Sequence, residues 1–259
     1  MYIDTHAHYD DKKFDADRPA VFRRIQEAGV EAVINCACDP KSCRSTLKLM
    51  KEQDFIYGAL GYHPHDTARL DEDAVDVLYD ALSSSEKVVA LGEIGLDYHY
   101  DFSPRNVQQE WFIEQIELAK ELELPIIIHS REAVQDTLKI LKEGRAEKVG
   151  GVIHAFSGSW EIAKEYLNMG FYIGIGGVAT FPDAKKLLAA LPQIPADRLL
   201  LETDCPYLTP VPCRGQRNDS GMLKYVAEKI AAVRGITAEE VAEKTAENAA
   251  ALFGIRRTA

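Results

Sequence analysis

The sequence predicts a (β/α)8 barrel of the TIM type, and three observations predict it. Eight short apolar, β-branched runs recur along the chain, each ending in a polar residue or Gly and followed by an amphipathic segment. Between His8 and Asp204 the run ends recur about every 28 residues, enough for a strand, a helix and two short loops. Runs such as PIIIH (125–129) and RLLLETD (198–204) are almost continuously apolar, as expected of parallel strands covered on both faces. No Ser-, Gly- or Pro-rich linker interrupts the series, so residues 1–259 read as one barrel domain, a size such barrels commonly have. The alternative is an open doubly wound sheet. It would gather reactive residues at a switch point, whereas a barrel gathers them at the C-terminal ends of all its strands.

In order, the expected strands are residues 2–6, 31–36, 55–61, 88–93, 125–129, 151–155, 171–176 and 198–204. Helical patterns fall between them at 19–28, 131–143, 160–170, 183–191, 221–234 and 237–253. A further helix runs from Ser103-Pro104, with Ser as N-cap and Pro in the first turn, to about Glu123, where Leu124-Pro125 closes it.

Composition narrows the function classes. With 30 Lys and Arg against 41 Asp and Glu, the net charge is −11, which argues against a protein that coats polyanions. Hydrophobic residues make up 46% and charged residues 27%, ordinary for a globular protein and unlike a disordered or disulfide-built one. The five cysteines are odd in number, and Cys36, Cys38 and Cys43 form C-x-C-x4-C, which is no paired zinc-knuckle spacing; they read as free thiols in a reducing cytosol. The start MYIDTHAHYD lacks the basic and apolar regions of a secretory signal, and no apolar run approaches the roughly 20 residues that span a bilayer. The expectation is a cytoplasmic protein without membrane contact. Nothing in the chain points to an obligate protein partner or to an oligomeric state.

The polar residues that end the apolar runs carry the chemistry. Asp4, His6 and His8 alternate in DTHAH, so an extended strand puts them on one face, inside the barrel. Glu93 ends VVALGE, His129 ends PIIIH, His154 ends GGVIH and Asp204 ends RLLLETD. Burying several such groups around one axis is costly unless they coordinate a cation or one another. Four imidazoles and two carboxylates exceed what one catalytic ion with an open position needs, so two divalent cations are the economical reading. Glu93 is the natural bridge, with His6, His8 and Asp204 completing one site and His129 and His154 the other. Nitrogen and oxygen ligands without thiolate suit Zn or Mn, and Mg less obviously.

These motifs resemble the TatD-type metal-dependent hydrolases of the amidohydrolase superfamily, often called TatD deoxyribonucleases. The resemblance covers nearly the whole chain, through DTHAH (4–8), GYHPH (61–65), GEIGLDY (92–98), PIIIHSREA (125–133), HAFSGS (154–159), ETDCPYLTP (202–210) and RGQRN (214–218). It implies a two-metal barrel hydrolase with the ligand set above; many members cleave DNA phosphodiesters, some as 3′ exonucleases. Two positions depart from the pattern: Ala155 stands where members often have Cys, and Asp219-Ser220 where an acidic-Pro pair is usual. Relatives that bridge their metals with a carboxylated lysine differ more. Here Lys87 precedes the fourth strand and Glu93 takes the bridging place.

The expected reaction is hydrolysis by a water that two cations acidify while they polarise a phosphoryl oxygen. Asp204 is the expected general base, placed to touch an ion and accept a proton. Glu202 shares its strand face and either supports the ligands or is a plain interior polar residue. His63 and His65, in the loop after the third strand, either contact a phosphate or leaving group or are solvated loop residues. Arg131 and Arg214, with Asn218, can orient a phosphate, though an Arg in a first helical turn is often a surface group. Asp97 and Tyr98 read as loop-structuring, and Trp111 as helix-to-barrel packing rather than base stacking. The leading function is a deoxyribonuclease acting on DNA ends or another phosphodiester. The alternative is a metallohydrolase of a small amide or ester, or of a D-aminoacyl-tRNA ester.

Overall fold

The apolar runs and amphipathic segments become strands and helices that alternate along the chain until two helices follow the last strand. In the computed structural model, which describes residues 1–257, the order is β1 (Tyr2–Ala7), α1 (Arg18–Glu27), β2 (Val30–Cys36), α2 (Pro40–Glu52), β3 (Ile56–Leu60) and α3 (Ala74–Leu82). It continues through β4 (Val88–Asp97), α4 (Arg105–Glu121), β5 (Ile126–Arg131), α5 (Val134–Glu143), β6 (Gly151–Ile153) and α6 (Trp160–Asn168). β7 (Tyr172–Ile175), α7 (Lys185–Ala190), β8 (Leu199–Leu201), α8 (Leu223–Arg234) and α9 (Ala238–Phe253) complete it. The strands follow chain order, β1 to β8, in one sheet. β8 also lies beside β1: Ala7 bridges Cys205 in parallel, Asp204 N–H donates to His6 O at 2.9 Å and His8 N–H to Cys205 O at 2.8 Å. First and last strands are therefore neighbours, which an open doubly wound sheet does not allow; the fold is a (β/α)8 barrel.

Two compact units make up the chain. Met1–Asn35, Ala155–Leu167 and Tyr172–Ala259 form one, and Cys36–His154 with Asn168–Phe171 the other. In the first, β1 pairs with β2 (Asp4 opposite Val33), β7 with β8 (Gly174 opposite Leu200), and β8 with β1. The capping box Thr237/Glu240 starts α9, whose Ala246 and Ala249 are buried. In the second, β3, β4, β5 and β6 pair in sequence. Ile126, Ile127 and Ile128 are all fully buried, so β5 is covered on both faces, as its unbroken apolar run requires. Gly95 sits opposite His129 at φ +138°, and a Cβ there would come within 2.0 Å of the His129 carbonyl oxygen; only glycine permits that approach of β4 to β5.

Several boundaries differ from expectation. β4 runs past Glu93 to Asp97, and β5 past His129 to Arg131, so Arg131 is a strand residue and α5 starts only at Val134. β8 stops at Leu201, leaving Glu202 and Asp204 outside strand alternation; Asp204 has φ +58° instead. Ser103 does not cap α4, whose N-cap is Pro104 without a side-chain bond. Its hydroxyl donates to His65 O at 3.1 Å and accepts from Ala68 N–H at 3.0 Å, tying α4 to the loop after β3.

Candidate metal centre

In the first unit, β1 delivers His6 and the turn after it His8, while the segment after β8 delivers Asp204. The Nε2 atoms of His6 and His8 lie 3.2 Å apart, and Asp204 Oδ1 is 3.2 Å from His8 Nε2 and 3.8 Å from His6 Nε2. Three donor atoms thus converge on one point.

The fully buried Asp4 faces elsewhere. Its Oδ1 accepts from the His6 N–H (3.2 Å) and the Thr203 N–H (3.0 Å), and its Oδ2 from the hydroxyls of Thr203 and Ser220, each at 2.6 Å. Burial pushes its carboxyl up to about 7, against the pull of those four donors. Asp4 thereby clamps β1 to the segment that carries Asp204. Ser220 N–H donates to Tyr9 OH at 2.9 Å, and the two hydroxyls lie 2.8 Å apart. With the Ser220 proton on Asp4, the Tyr9 proton goes to Ser220. A proline at 220 has neither the N–H nor the hydroxyl, so this departure from the family pattern builds a buried hydrogen-bond chain onto Asp4.

Glu202 accepts the Ala155 N–H at 2.5 Å, holding the residue after His154, which has φ +46°. Asn218 donates to the carbonyls of Thr203 (2.9 Å) and Tyr207 (2.7 Å), so it braces the loop after β8. Arg214 donates to Thr209 O at 2.8 Å, its guanidinium 4.0 Å from the centre of the Phe181 ring.

In the second unit, Glu93 is 3% exposed at the centre of a histidine ring. Its Oε1 lies 2.9 Å from His129 Nδ1, 3.7 Å from His63 Nε2 and 3.8 Å from His154 Nε2. His63, Glu93 and His129 each present a donor atom within 4.8 Å of the others. The other nitrogen of His129 reaches Asp97 Oδ2 at 3.0 Å, the arrangement in which a carboxylate orients a metal-binding imidazole. The same oxygen holds His65 Nε2 at 2.8 Å, while Oδ1 accepts the N–H groups of His99 (3.0 Å) and Tyr100 (2.9 Å). Burial favours the neutral Asp97 acid, yet the bonds from His129, the Tyr100 N–H and His65 outweigh it and hold the carboxyl well below the usual carboxylate range. Burial lowers His129, but its bonds to Asp97 and Glu93 prevail and raise it.

The donor sets fit divalent cations. Buried and half-buried imidazole nitrogens and carboxylate oxygens crowd within 4 Å of one another, and no thiolate joins the clusters among the described residues. The sequence predicts His63 as a substrate contact or a solvated loop residue; it is 7% exposed beside Glu93. Asp97, which the sequence marks as loop-structuring, also orients His129. Its position in GEIGLDY, four residues after Glu93 in one strand, was the only sequence signal. Arg131 lies with its guanidinium 4.7 Å from the centre of the Tyr100 ring, and Trp111 meets Tyr62 edge-on at 6.0 Å, a packing contact.

Comparison with known proteins supplies the family. Residues 3–254 match the model for TatD related DNase. The chain is 48% identical to the uncharacterized metal-dependent hydrolase YabD of Bacillus subtilis strain 168, over 98% of this chain and all of the relative. It is 35% identical to the 3′-5′ ssDNA/RNA exonuclease TatD of Rahnella sp. strain Y9602, covering 94% of each. Among solved structures, the TatD homolog YJJV of Escherichia coli K12 superposes with a TM-score of 0.93 at 34% identity, covering 98% of each chain. A phosphotriesterase homology protein of Escherichia coli, at 17% identity and a TM-score of 0.72, shares the fold.

Proposed function

The chain belongs to the TatD family of metal-dependent hydrolases, and from that premise we propose that it is a deoxyribonuclease trimming strands from the 3′ end. The observation that carries this reading is the gathering of imidazoles and carboxylates into donor groups built for cations, in a chain related to a named exonuclease. His6, His8 and Asp204 would hold one divalent cation (Zn, Mn or Mg), His129 and His154 a second, with Glu93 shared. Such ions lower the pKa of a water and polarise a phosphoryl oxygen.

The protein's own groups do the rest. Asp204 accepts the proton of the attacking water at Oδ1, the oxygen that already faces both histidines. Asp4, through Thr203 and Ser220, keeps that carboxylate in place. Asp97 fixes the His129 ring so that Nδ1 faces Glu93. His63 stands close enough to Glu93 to contact the ion or the bound phosphate.

None of the helices among the described residues is long and apolar enough to cross a membrane, and the five cysteines are free thiols, which supports a cytoplasmic setting. The test is metal analysis of the purified protein, then turnover of single-stranded DNA, duplex DNA, phosphate esters, amides and D-aminoacyl-tRNA with the metal found. Release of nucleotides from 3′ ends is expected. Asp204→Asn should lose at least about 100-fold in kcat while keeping the metal bound by the other ligands. Turnover of only the aminoacyl ester or amides would move the assignment to the other hydrolase class.

A further inference from the structure

Beyond the metal ligands, the loop that follows β4 presents an aromatic surface that neither the fold nor the ligand set requires. Phe102 is 66% exposed and Tyr100 48%. Their rings are stacked, centroids 5.2 Å apart and 17° from parallel, and the Arg131 guanidinium lies 4.7 Å from the centre of the Tyr100 ring. His65 packs edge-on against both, at 5.5 Å from Tyr100 and 4.9 Å from Phe102. Scattered exposed apolar residues need no explanation. A stacked pair next to a guanidinium is different, because it offers the π-face and the positive charge that a single nucleic-acid strand uses.

The surface is wired to the site. Asp97 Oδ1 takes the N–H groups of His99 and Tyr100 and so fixes the loop, while its Oδ2 takes His65 and His129, and His129 reaches Glu93. One carboxylate therefore sets both the platform and a metal-binding imidazole. No other described aromatic pair has this combination of exposure and connection.

We propose that Tyr100 and Phe102, with Arg131 beside them, form a stacking platform for a nucleobase of a single-stranded substrate, next to the nucleotide whose phosphate is cleaved. This rests on the nuclease reading and deepens it. The platform favours single strands and frayed ends, because a paired base has no free face to offer. It is indifferent to base identity, since stacking reads a π-face rather than a hydrogen-bonding edge.

The test uses the full-length metal-loaded protein, Phe102→Ala and the Tyr100→Ala/Phe102→Ala pair, with Phe102→Trp as the conservative rescue. Each meets a DNA strand carrying normal bases and the same strand with abasic sites near the 3′ end. Loss of one base stack corresponds to about 5- to 150-fold. The alanine variants should lose roughly that factor in kcat/KM, through KM, on the base-bearing strand and far less on the abasic one, and Trp should restore it. Equal losses on both strands, or none, would overturn the platform. Binding of a phosphorothioate strand containing 2-aminopurine separates this failure from failure of the nuclease reading. Fluorescence quenching by wild type that the alanine variants lose, with no cleavage of any strand, upholds the platform and removes the nuclease. Cleavage without quenching does the reverse. Phe102-dependent retention on phosphatidylcholine vesicles without quenching would reassign the surface to lipid.

Discussion

Single residues here act through the backbone segments they tie together. Asp4 hydrogen-bonds no metal-donor side chain, yet three of its four hydrogen bonds join β1 to the Thr203–Ser220 region. Its raised pKa has a measurable sign. Between about pH 4, where a free carboxyl ionises, and about pH 7, the folded protein retains a proton that the unfolded chain has released, so the Asp4 contribution to stability falls as pH rises. In metal-free protein, the unfolding free energy of wild type minus that of Asp4→Asn should therefore drop between about pH 4 and pH 7, by up to about 1.4 kcal/mol per pH unit. Urea titrations of both proteins in EDTA measure it, and a pH-independent difference would refute the assignment. Asp97 has the opposite sign: held ionised by His129, the Tyr100 N–H and His65, it stabilises the fold above the usual carboxylate range, and that contribution disappears on acidification through its lowered pKa.

Among the elements, the β4–β5 pair carries the heaviest demand, since it supplies Glu93, Asp97 and His129 from two neighbouring strands. Gly95 makes the pairing possible. Gly95→Ala drives a methyl to within 2.0 Å of a backbone oxygen on the partner strand, and neither strand can yield without displacing a site residue. Failure to fold, or a loss of more than about 3 kcal/mol, is expected. Gly150→Ala is the control: φ is +65° but nothing lies within 4 Å, so the left-handed backbone alone costs about 1 kcal/mol. Comparable midpoints for the two variants in denaturant titrations would show that the close approach is not what requires glycine.

For the whole molecule, the charge of −11 and the site have to be weighed together. With two divalent ions bound as proposed, against the carboxylates of Glu93 and Asp204, the ligand groups would be net positive on an otherwise acidic protein. Phosphate is then drawn to one point, and the counterion release that drives binding along a duplex is largely missing. Weak binding of long duplex DNA is expected at physiological salt, weaker still in EDTA, with affinity regained for single-stranded ends once metal is added. Fluorescence anisotropy with the two DNA forms, with and without metal, reads this directly. Tight duplex binding by the metal-free protein would contradict it.

Much of this protein is determined by its sequence alone. Unbroken apolar runs such as PIIIH can only be satisfied by strands covered on both faces, their regular spacing leaves room for one helix each, and the ligand residues that end five of the eight runs are costly to bury together unless they coordinate a cation or one another. These are local facts, set by neighbours along the chain. Tertiary structure decided what depends on meetings between distant residues: that β8 closes onto β1, that Ser220 and Tyr9 complete a hydrogen-bond chain to Asp4 across more than 200 positions, and that one carboxylate, Asp97, serves both His129 and the loop bearing Tyr100 and Phe102. Asp204, at φ +58°, stands outside strand geometry. Its backbone N–H is claimed by β1, and that claim exists only once the first and last strands lie side by side.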